Sequence, residues 1–450
     1  MVSSHSSSHQ SCEDDALPIK SGFSCFDDKR LNDMIKAMDK ADLQTLKGFR
    51  DFLPDEAKKR QYLIEKIRKV FELYGFEPLE TPALEYKEIL TGKYGEEADK
   101  LIYSFKDAGG RDVALRYDQT VPTARVLASY KDLIIPFKRY QIQTVWRAEK
   151  PQKGRYRELL QCDADIYGSL SPIADAEIIA LSNSLYKSLG FKNYKIFIND
   201  RKILFDLMNF ASIPQDLQVR VISEIDKLDR KPEDEIKSAL SQMGINEESI
   251  NHLFMHIKDT KPTPNLKDVI KFSEYLGVPS KNLIFQARLA RGLDYYTSII
   301  FEIKIDGYDA GSVLGGGRYD HLIEKLSGIN IPAVGFAVGF DRTLEAMSQF
   351  DLFPKKTSDN SVLVTIFSED LSDESALVAA NLRENGIPCE IYPDFVKLEK
   401  QLKYADKKGA DKLIIIGPDE KAKNQVVLKD LKSGYQEDVK LADLIEKLKK

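Results

Sequence analysis

A strongly basic loop between two β-strand patterns is the feature that most constrains the fold of this chain. Phe137 to Trp146 and Leu159 to Tyr167 each predict a strand, and the loop Arg147 to Glu158 between them carries five basic residues. This order predicts a β-hairpin with arginines at its mouth. A solvated loop is one interpretation. We favour an anionic ligand, because the flanking strands are apolar enough to be buried and arginine recognises phosphate in a planar, bidentate way.

A second polar cluster occupies the stretch Ala290 to Glu302, ARGLDYYTSIIFE. It places an arginine, an aspartate and two tyrosines directly before the apolar residues Ile299 to Phe301. Guanidinium and phenol groups are costly to bury unless they are paired. The stretch is therefore either the start of a strand with one structural ion pair, or part of a functional site.

Glycine patterns mark the third region of interest. The run Gly315 to Gly317 is not followed by GK[ST], so it is not a P-loop and predicts a tight turn between strand and helix. Further on, apolar residues alternate with small ones from 334 to 340, which predicts a strand. Gly335 and Gly339 leave one face of that strand bare, and a flat ring could lie there against the backbone.

The length of 450 residues predicts two or three domains. Strand signals with interspersed helices predict an α+β domain built on an antiparallel sheet. Helical patterns punctuated by prolines interrupt it, and alternating strands and helices predict a C-terminal α/β domain. The predicted parts are a disordered or partly helical N-terminal extension at 1–45, an α+β domain at 46–202 and 286–350, a helical insertion at 203–285, a linker at 351–360 and an α/β domain at 361–450.

The charge and apolar content of the chain limit how a nucleic acid or a membrane could bind it. The net charge of −5 gives no global positive field, so a nucleic acid must be held by local basic patches. Lys403, Lys407 and Lys408 form one candidate patch, which a solvated helix surface explains equally well. No apolar run approaches the roughly 20 residues that span a bilayer, so we expect no membrane partner.

Cysteine and histidine positions indicate no metal site. Cys12, Cys25, Cys162 and Cys389 lack the spacing of a zinc site or a disulfide framework, which favours a reducing, cytoplasmic setting. His252 and His256 stand four apart but have no HExxH glutamate, so we interpret them as a structural pair. The Ser-rich N-terminal extension has no apolar signal-peptide core, and its acidic residues argue against a transit peptide.

From about Leu46 onward the chain resembles the histidyl-tRNA synthetases. The hairpin TVWRAEKPQKGRYRELLQCDADIYG is similar to motif 2 of the class II aminoacyl-tRNA synthetases, and AVGFAVGFDRTLEAM is similar to motif 3. These two motifs indicate only the class. LRYDQT and RGLDYYT resemble the two boxes specific to the histidine family, and KLEKQLKYADKKGADKLIIIG resembles its anticodon-binding domain.

The resemblance implies a two-step reaction. Histidine and ATP give histidyl-adenylate and pyrophosphate, and the histidyl group then passes to tRNA-His. Mg²⁺ normally accompanies the ATP. ETPALE, with Pro82, is similar to motif 1, which lies at the dimer interface in this class, so a homodimer is implied.

The resemblance also assigns the nucleotide-binding residues. Arg147 would contact the α-phosphate, Glu149 would accept from the adenine amino group, and Arg155 would hold the phosphate tail. Arg342 would stack on the adenine from the other side. Arg291 would be the catalytic arginine, near both the histidine carboxylate and the α-phosphate, so Arg147 and Arg291 are the implied catalytic residues.

Residues of the two histidine boxes and of motif 2 are implied to bind the amino acid. Asp118, Thr120 and Gln161 match the site for the α-amino group, and Gln119, between the first two, is counted with the histidine-binding residues although it departs from the family pattern. The side-chain pocket is matched by Asp165, Tyr295 and Tyr296. Such a pocket discriminates strongly, because an apolar analogue would leave its polar groups unpaired. Tyr295 could equally be packing in the wall of the pocket.

Two other functions remain open at this point. A catalytically inactive relative, such as a histidine or tRNA sensor or the regulatory subunit of ATP phosphoribosyltransferase, would keep the fold. Such relatives typically lose the RGLDYYT box, the motif arginines or the anticodon domain. A prolyl or threonyl synthetase would share motif 3 but not RGLDYYT. Gln119, Ser298 and Trp146 depart from the family pattern, but none of them removes a charge that the chemistry needs.

Overall fold

The computed structural model describes residues 43–91, 102–150, 156–229, 231–290, 295–354 and 361–449. Of the predicted N-terminal extension, 1–42 lies outside these ranges. So do Arg155 and Arg291, to which the resemblance assigns roles, and most of the 351–360 segment predicted as a linker.

In the part of the chain that the structure describes, a sheet of eight strands forms the centre of the larger domain. The spatial order is β1-β5-β6-β11-β10-β9-β7-β8. Its inner pairs are antiparallel, and the edge pairs β1/β5 and β7/β8 are parallel, so the predicted antiparallel α+β domain is confirmed. The strands are β1 Glu77–Pro78, β5 Phe137–Trp146, β6 Glu158–Tyr167, β7 Tyr194–Asp200, β8 Leu283–Phe285, β9 Ile299–Ile305, β10 Leu314–Arg318 and β11 Ala333–Gly339.

One face of this sheet carries the apolar core. Helix α1 begins with a proline in its first turn, has acidic residues there, and buries Leu63, Ile67, Val70 and Phe71. Phe71 packs against rings from β5 and β11 with centroids 5.7 and 5.8 Å apart. The helices of this layer are α1 Pro54–Leu73, α4 Pro172–Ser188 and α11 Phe340–Gln349. Because they cover one face only, the other face is left to form the walls of a cleft.

A small antiparallel sheet flanks the main one. Its order is β2-β4-β3, and two helices pack beside it. Its core is formed by Leu90, Ile102, Ala114 and Val121. The elements are β2 Leu84–Tyr86, α2 Lys87–Leu90, β3 Ser104–Lys106, β4 Asp112–Leu115 and α3 Thr120–Ser129. This unit positions the LRYDQT segment, which runs from β4 into α3.

The region between β7 and β8 is helical. Its helices are α5 Arg201–Phe210, α6 Gln215–Ile225, α7 Glu233–Gln242, α8 Glu247–Asp259 and α9 Pro264–Tyr275, and α10 Leu322–Ser327 follows later in the chain. The chain then returns through β8, which pairs with β7. The limits 203–285 that we gave to the insertion stay a prediction.

The C-terminal domain contains a mixed sheet within 361–449, in the order β13-β12-β14-β15-β16. The alternation of strands and helices in this part of the chain favours a mainly parallel sheet. The structure instead has two parallel and two antiparallel pairs, because β15 runs antiparallel to β14 and then turns back into β16 as a hairpin at Ser433 and Gly434. The elements are β12 Val362–Val364, α12 Ser372–Glu384, β13 Cys389–Ile391, α13 Leu398–Lys408, β14 Lys412–Ile415, α14 Pro418–Lys423, β15 Gln425–Asp430, β16 Gln436–Lys440 and α15 Leu444–Lys449.

A search of the described residues finds no helix with both the length and the apolar character needed to cross a bilayer.

Candidate active site

A cleft of about 390 Å³ opens where the β5–β6 loop, β10, β11 and the start of α11 meet. Arg147, Glu149, Gln161 and Arg342 all line it. The first three come from the hairpin, and Arg342 lies nearly two hundred positions further along the chain. The fold therefore brings together four of the residues that the sequence predicted to meet at one site.

Arg147 is anchored at the mouth of the hairpin. Its backbone N–H donates to the carbonyl of Arg157 at 2.8 Å, and its Nε donates to the carbonyl of Tyr117 at 3.0 Å. Arg157 in turn donates from Nε to the carbonyl of Glu149 at 3.0 Å. These bonds fix the backbone of Arg147 and Glu149 at the cleft, which both residues line.

Arg342 reaches the cleft from the first turn of α11. Its Nη1 donates to the carbonyl of Ser312 at 2.9 Å. The neighbouring Asp341 accepts from Arg50 at 2.9 Å and from Arg60 at 3.2 Å through the same oxygen. Arg60 belongs to α1, so these ion pairs hold the start of α11 against that helix.

A row of mostly buried polar side chains runs along the face of the sheet opposite the helical layer. Cross-strand neighbours on β5 and β6 pair Arg139 with Asp165, Gln141 with Asp163 and Gln143 with Gln161. The residues opposite them on β11 are small, namely Gly335, Ala337 and Gly339. Because side chains alternate between the two faces of a strand, this row shares one surface, and the small residues leave a trough beside it.

Asp165 is the best-anchored group of the row. The hydroxyl of Tyr319 donates a short hydrogen bond to its Oδ1. Its Oδ2 lies 2.9 Å from Nη2 of Arg139, as an ion pair that is not aligned as a hydrogen bond. That oxygen therefore keeps the capacity to accept from a ligand.

Gly335 makes room for this carboxylate. A Cβ at Gly335 would lie 1.8 Å from Oδ1 of Asp165. The prediction that a ring lies against the bare backbone at this glycine is therefore wrong, because the carboxyl group of the neighbouring strand already fills the space.

Burial governs the charges in this row. The Arg139 side chain is fully buried, which disfavours its charge, but the carboxyl groups of Asp165 and Asp163 outweigh that penalty and raise its pKa. Burial raises the pKa of Asp163 to about 8, against the opposing effect of Arg139. The row thus pairs one guanidinium with the carboxyl group of Asp165, and the oxygens of Gln161, Asp163 and Asp165 that lack partners among the described residues can accept hydrogen bonds from a ligand.

Tyrosine rings form a wall next to Asp165. The rings of Tyr295 and Tyr296 lie 4.7 Å apart, and Tyr295 meets Tyr319 edge to face at 5.7 Å. Tyr296 is buried, and a Cβ at Gly317 would lie 2.8 Å from its ring. The first expectation for the Gly315 to Gly317 run was a turn. Instead it lies inside β10 and admits the tyrosine ring.

The LRYDQT segment contacts the hairpin. Gln119 is fully buried, and its Nε2 donates to the carbonyls of Gln143 and Gln161, both at 3.0 Å. Asp118 accepts from the backbone N–H of Val121 at 3.2 Å, at the start of α3, where Thr120 is the first residue. Loss of hydration raises the pKa of Asp118 to about 6. Gln119 therefore serves as a bridge between strands, whereas Asp118 keeps an ionisable group near Arg147 and Arg139.

Two departures from the family pattern have local partners. The indole of Trp146 donates to Glu158 at 2.8 Å, across the end of the hairpin. Ser298 donates to Asp200 at 3.4 Å. Both substitutions are accommodated by contacts outside the polar row.

Sequence reasoning missed several groups of the site. Arg139, Asp163 and Tyr319 were not predicted, although each contacts a predicted residue. Arg139 and Tyr319 contact Asp165, and Asp163 contacts Gln161. A usable signal existed, because polar residues at every second position of two strongly predicted strands indicate a functional face. The predicted Arg155 and Arg291 lie outside the described residues.

Comparisons with known proteins agree with this geometry. The family model described as histidyl-tRNA synthetase matches residues 48–343, and the model described as anticodon binding domain matches 361–450. The histidine–tRNA ligase of Gloeobacter violaceus is 40% identical over 89% of this chain and 97% of its own length. The histidine–tRNA ligase of Cytophaga hutchinsonii is 37% identical over 89% and 98%.

Solved structures give the same result. The histidyl-tRNA synthetase of Nostoc sp. PCC 7120 superposes with a TM-score of 0.79 at 32% identity, covering 90% of this chain and 98% of that one. The apo histidyl-tRNA synthetase of S. aureus superposes with a TM-score of 0.68 at 25% identity, covering 90% and 100%. The chain therefore belongs to the histidyl-tRNA synthetase family.

Proposed function

We propose that this chain activates L-histidine with ATP and transfers the histidyl group to tRNA-His. The observation that carries the proposal is the continuity between two sets of residues. Gln161 lines the cleft together with Arg147, Glu149 and Arg342, and it begins the polar row that continues to Asp165. Groups suited to a nucleotide and groups suited to histidine thus adjoin each other, as a reaction between the two substrates requires.

The first step joins the histidine carboxylate to the α-phosphate of ATP. A new O–P bond forms, the bond between the α-phosphorus and the bridging oxygen breaks, and pyrophosphate leaves with that oxygen. Negative charge grows on the α-phosphoryl oxygens, so a fixed cation lowers the barrier. Arg147 supplies such a cation from the hairpin. We assign Arg291 the same role from the RGLDYYT segment, on the resemblance alone.

The histidine side chain is proposed to bind against Asp165. One imidazole N–H would donate to its carboxylate, while Tyr295 and Tyr296 enclose the ring. Asp118, Thr120 and Gln161 would bind the α-ammonium. An amino acid without hydrogen-bonding atoms in its side chain would place an apolar surface against the buried Asp165–Arg139 pair and leave polar atoms without partners. The site would therefore bind such an amino acid poorly.

Mg²⁺ is proposed to enter with the ATP. Among the described residues, no three His, Cys, Asp or Glu side chains are arranged to hold a metal ion. Glu149 and Asp341 are the described carboxylates that line the cleft, and Asp341 already binds two arginines. This donor set fits a magnesium ion carried mainly by phosphate oxygens, which is the usual arrangement for nucleotides. The ion would neutralise phosphate charge.

The second step needs the tRNA. The 361–450 match to an anticodon-binding domain supports tRNA-His as the partner, and a charged tRNA is used in the cytoplasm, where we propose that the protein acts. The alternative of an inactive sensor or regulatory subunit is not favoured, because the anticodon domain is retained and the relatives at 37–40% identity are histidine–tRNA ligases.

Pyrophosphate exchange tests the proposal. We expect the purified chain to incorporate labelled pyrophosphate into ATP when L-histidine is present, and not when proline or threonine replaces it. The reason is that only histidine presents both an α-ammonium and an imidazole N–H to the site. A folded preparation that binds ATP but shows no histidine-dependent exchange would refute the proposal.

We also propose a homodimer, from exposed apolar side chains, of which Leu84 belongs to the motif 1 segment. Leu84, Tyr86 and Phe105 on the small sheet are 44–50% exposed, and Ile134 and Leu170 are 84% and 71% exposed. Side chains of this kind cluster at interfaces between subunits.

Replacing Tyr86 and Ile134 together by aspartate should convert the dimer to monomers in sedimentation experiments at micromolar concentration, because the charges would be desolvated in the interface. Phe395, 57% exposed in the C-terminal domain, provides the matched control. Its change to aspartate should leave the mass unaltered. A wild-type protein that sediments as a monomer would contradict the homodimer.

A further inference from the structure

The side-chain amide of Gln161 is held in one orientation by a neighbouring carboxyl group. Its Nε2 donates to Oδ2 of Asp163 at 2.7 Å. Its Oε1 is buried and has no hydrogen-bond partner among the described residues. Asp163 is 3% exposed, and its Oδ1 also lacks a partner in the described part of the chain.

Buried acceptors without partners are uncommon in native proteins, because each costs the hydration that it loses. Here the two oxygens belong to adjacent members of the polar row, and Gln161 lines the cleft. They are therefore positioned for a donor that arrives with a ligand. An α-ammonium group is such a donor, since it carries three N–H bonds and accepts none.

The orientation of the amide decides whether Gln161 can receive that group. An amide can rotate by a half turn, which exchanges its oxygen and its nitrogen. With the nitrogen towards the cleft, Gln161 would present N–H donors to the ammonium and repel it. With the oxygen towards the cleft, it accepts. The carboxyl group of Asp163 favours the second arrangement, because its Oδ2 accepts from the amide nitrogen and so turns that nitrogen away from the cleft.

We propose that Asp163 is a positioning residue for histidine binding, which fixes the Gln161 amide so that Oε1 faces the α-ammonium. The inference rests on the proposed function, since it concerns the amino acid of that reaction. It adds Asp163, a residue outside the predicted set, to the machinery that selects an α-amino acid. Asp163 acts through Gln161, whereas Asp165 meets the imidazole.

Local packing supports this division. Gln119 donates to the backbone carbonyl of Gln161 and so fixes the backbone of the strand at that residue. The side-chain torsions of Gln161 are then the freedom that the contact with Asp163 restricts. On β11 the residue opposite Asp163 is Ala337, which is small enough to leave the carboxyl group next to Gln161. Asp163 accepts from Gln161 through Oδ2, so the contact that orients the amide needs only a carboxyl oxygen at that place.

The test compares two ligands that differ only in the amino group. Histidine and 3-(imidazol-4-yl)propanoate share the imidazole and the carboxylate, but the second lacks the ammonium. Dissociation constants are measured by calorimetry or by competition in the exchange assay, for wild type, Asp163→Leu and Asp163→Asn. Asp163→Leu removes the acceptor and keeps the branching of the side chain, whereas an asparagine can still accept from Gln161 in one of its two orientations.

We expect Asp163→Leu to weaken histidine binding by roughly tenfold to a hundredfold, the usual effect of losing a hydrogen bond to a charged group. Asp163→Asn should fall between that variant and wild type. The propanoate should bind all three within about twofold, since it makes no contact with the Gln161 oxygen, and the KM for ATP should not change. In a Gln161→Leu background, Asp163→Leu should cause no further loss, because coupled residues are not additive.

Cys162→Ala is the matched control. Cys162 is the adjacent residue on β6 and is buried in the apolar core on the opposite face. This change should lower stability without altering the ratio of the two affinities. Equal losses for both ligands in Asp163→Leu, or losses that add to those of Gln161→Leu, would overturn the inference. If Asp163→Leu does not fold, Asp163→Asn carries the same comparison.

Failure of the inference is distinguishable from failure of the proposed function. If wild type neither binds histidine nor catalyses histidine-dependent exchange, the function is wrong. If wild type does both and the Asp163 variants discriminate the two ligands as wild type does, only the role of Asp163 is wrong.

Discussion

Replacing Asp175 by alanine is expected to lower the free energy of unfolding of the larger domain by about 3–5 kcal/mol, as when one partner of a buried ion pair is removed. Asp175 on α4 and Arg318 on β10 are 2% and 4% exposed. Arg318 donates to Asp175 from Nε at 3.0 Å and from Nη2 at 2.6 Å. Without Asp175, Nε and Nη2 of Arg318 stay buried without their carboxylate partner, and Asp320 is the counter-charge that remains. Chemical denaturation monitored by circular dichroism measures the change.

The same ion pair is connected to the candidate active site. Arg318 also binds Asp320 at 3.0 Å, and Asp320 accepts from the hydroxyl of Thr297 at 2.8 Å. Thr297 ends the RGLDYYT box, so the Asp175 variant should also lose exchange activity.

An exposed ion pair provides the control for stability. Lys403 and Glu399 lie 2.6 Å apart but are both more than two thirds exposed. Lys403→Ala should therefore cost less than about 1 kcal/mol. If Asp175→Ala lowered the free energy of unfolding by as little as Lys403→Ala, the buried network would not be holding α4 to β10. The double replacement of Asp175 by leucine and Arg318 by methionine should recover part of the loss, because neither charge of the Asp175–Arg318 pair is then buried without the other.

Replacing Arg147 by alanine should reduce kcat/KM for histidine-dependent pyrophosphate exchange by about 100-fold to 1,000-fold, or about 3–4 kcal/mol, which is typical for loss of one preorganised donor to a transition-state anion. Arg147 is held at the cleft by the carbonyl of Tyr117. Lysine should restore the charge but not the planar fork, so Arg147→Lys should recover activity only in part.

Arg111→Ala is the matched control for this prediction. Arg111 is an exposed arginine that pairs with Asp107 in the turn between β3 and β4. Its replacement should leave the exchange rate unchanged. The stability of Arg147→Ala is checked by chemical denaturation. If the variant is as stable as wild type and keeps a near-normal exchange rate, Arg147 does not contact the reacting phosphate.

Local sequence patterns predicted the limits of helices and strands well where a single residue, such as a proline or a glycine, sets the limit. Pro54 and Gly75 predict the limits of a helix, because proline suits a first turn and glycine accepts a positive φ, and α1 has these limits, with Gly75 at a φ of +73°. The hairpin strands are also close to their predicted limits. The residues Phe76 to Thr81 favour a strand, but only β1 forms, because side chains of Gln143 and Arg116 take the hydrogen bonds of Thr81 in place of a strand ladder.

The residues of the candidate site also divide into those that the sequence predicted and those that it did not. Arg147, Glu149 and Arg342 were predicted from motifs because charges in a basic loop or at the start of a helix are conspicuous in a sequence. Arg139 and Asp163 were not predicted, because a charged residue inside a strand normally predicts a solvated face. Their role depends on burial, and burial depends on which strands pair.

The sequence by itself determined the fold class, the family resemblance and the residue types available for the reaction, because these depend on periodicity and short motifs. Only the tertiary structure decided how those residues combine. Pairing of β6 with β5 and β11 places Asp165 between Arg139 and Gly335, and it leaves the Gln161 oxygen without a protein partner among the described residues. The physical reason is that cross-strand register and burial are properties of residues far apart in the chain, so no local pattern contains them.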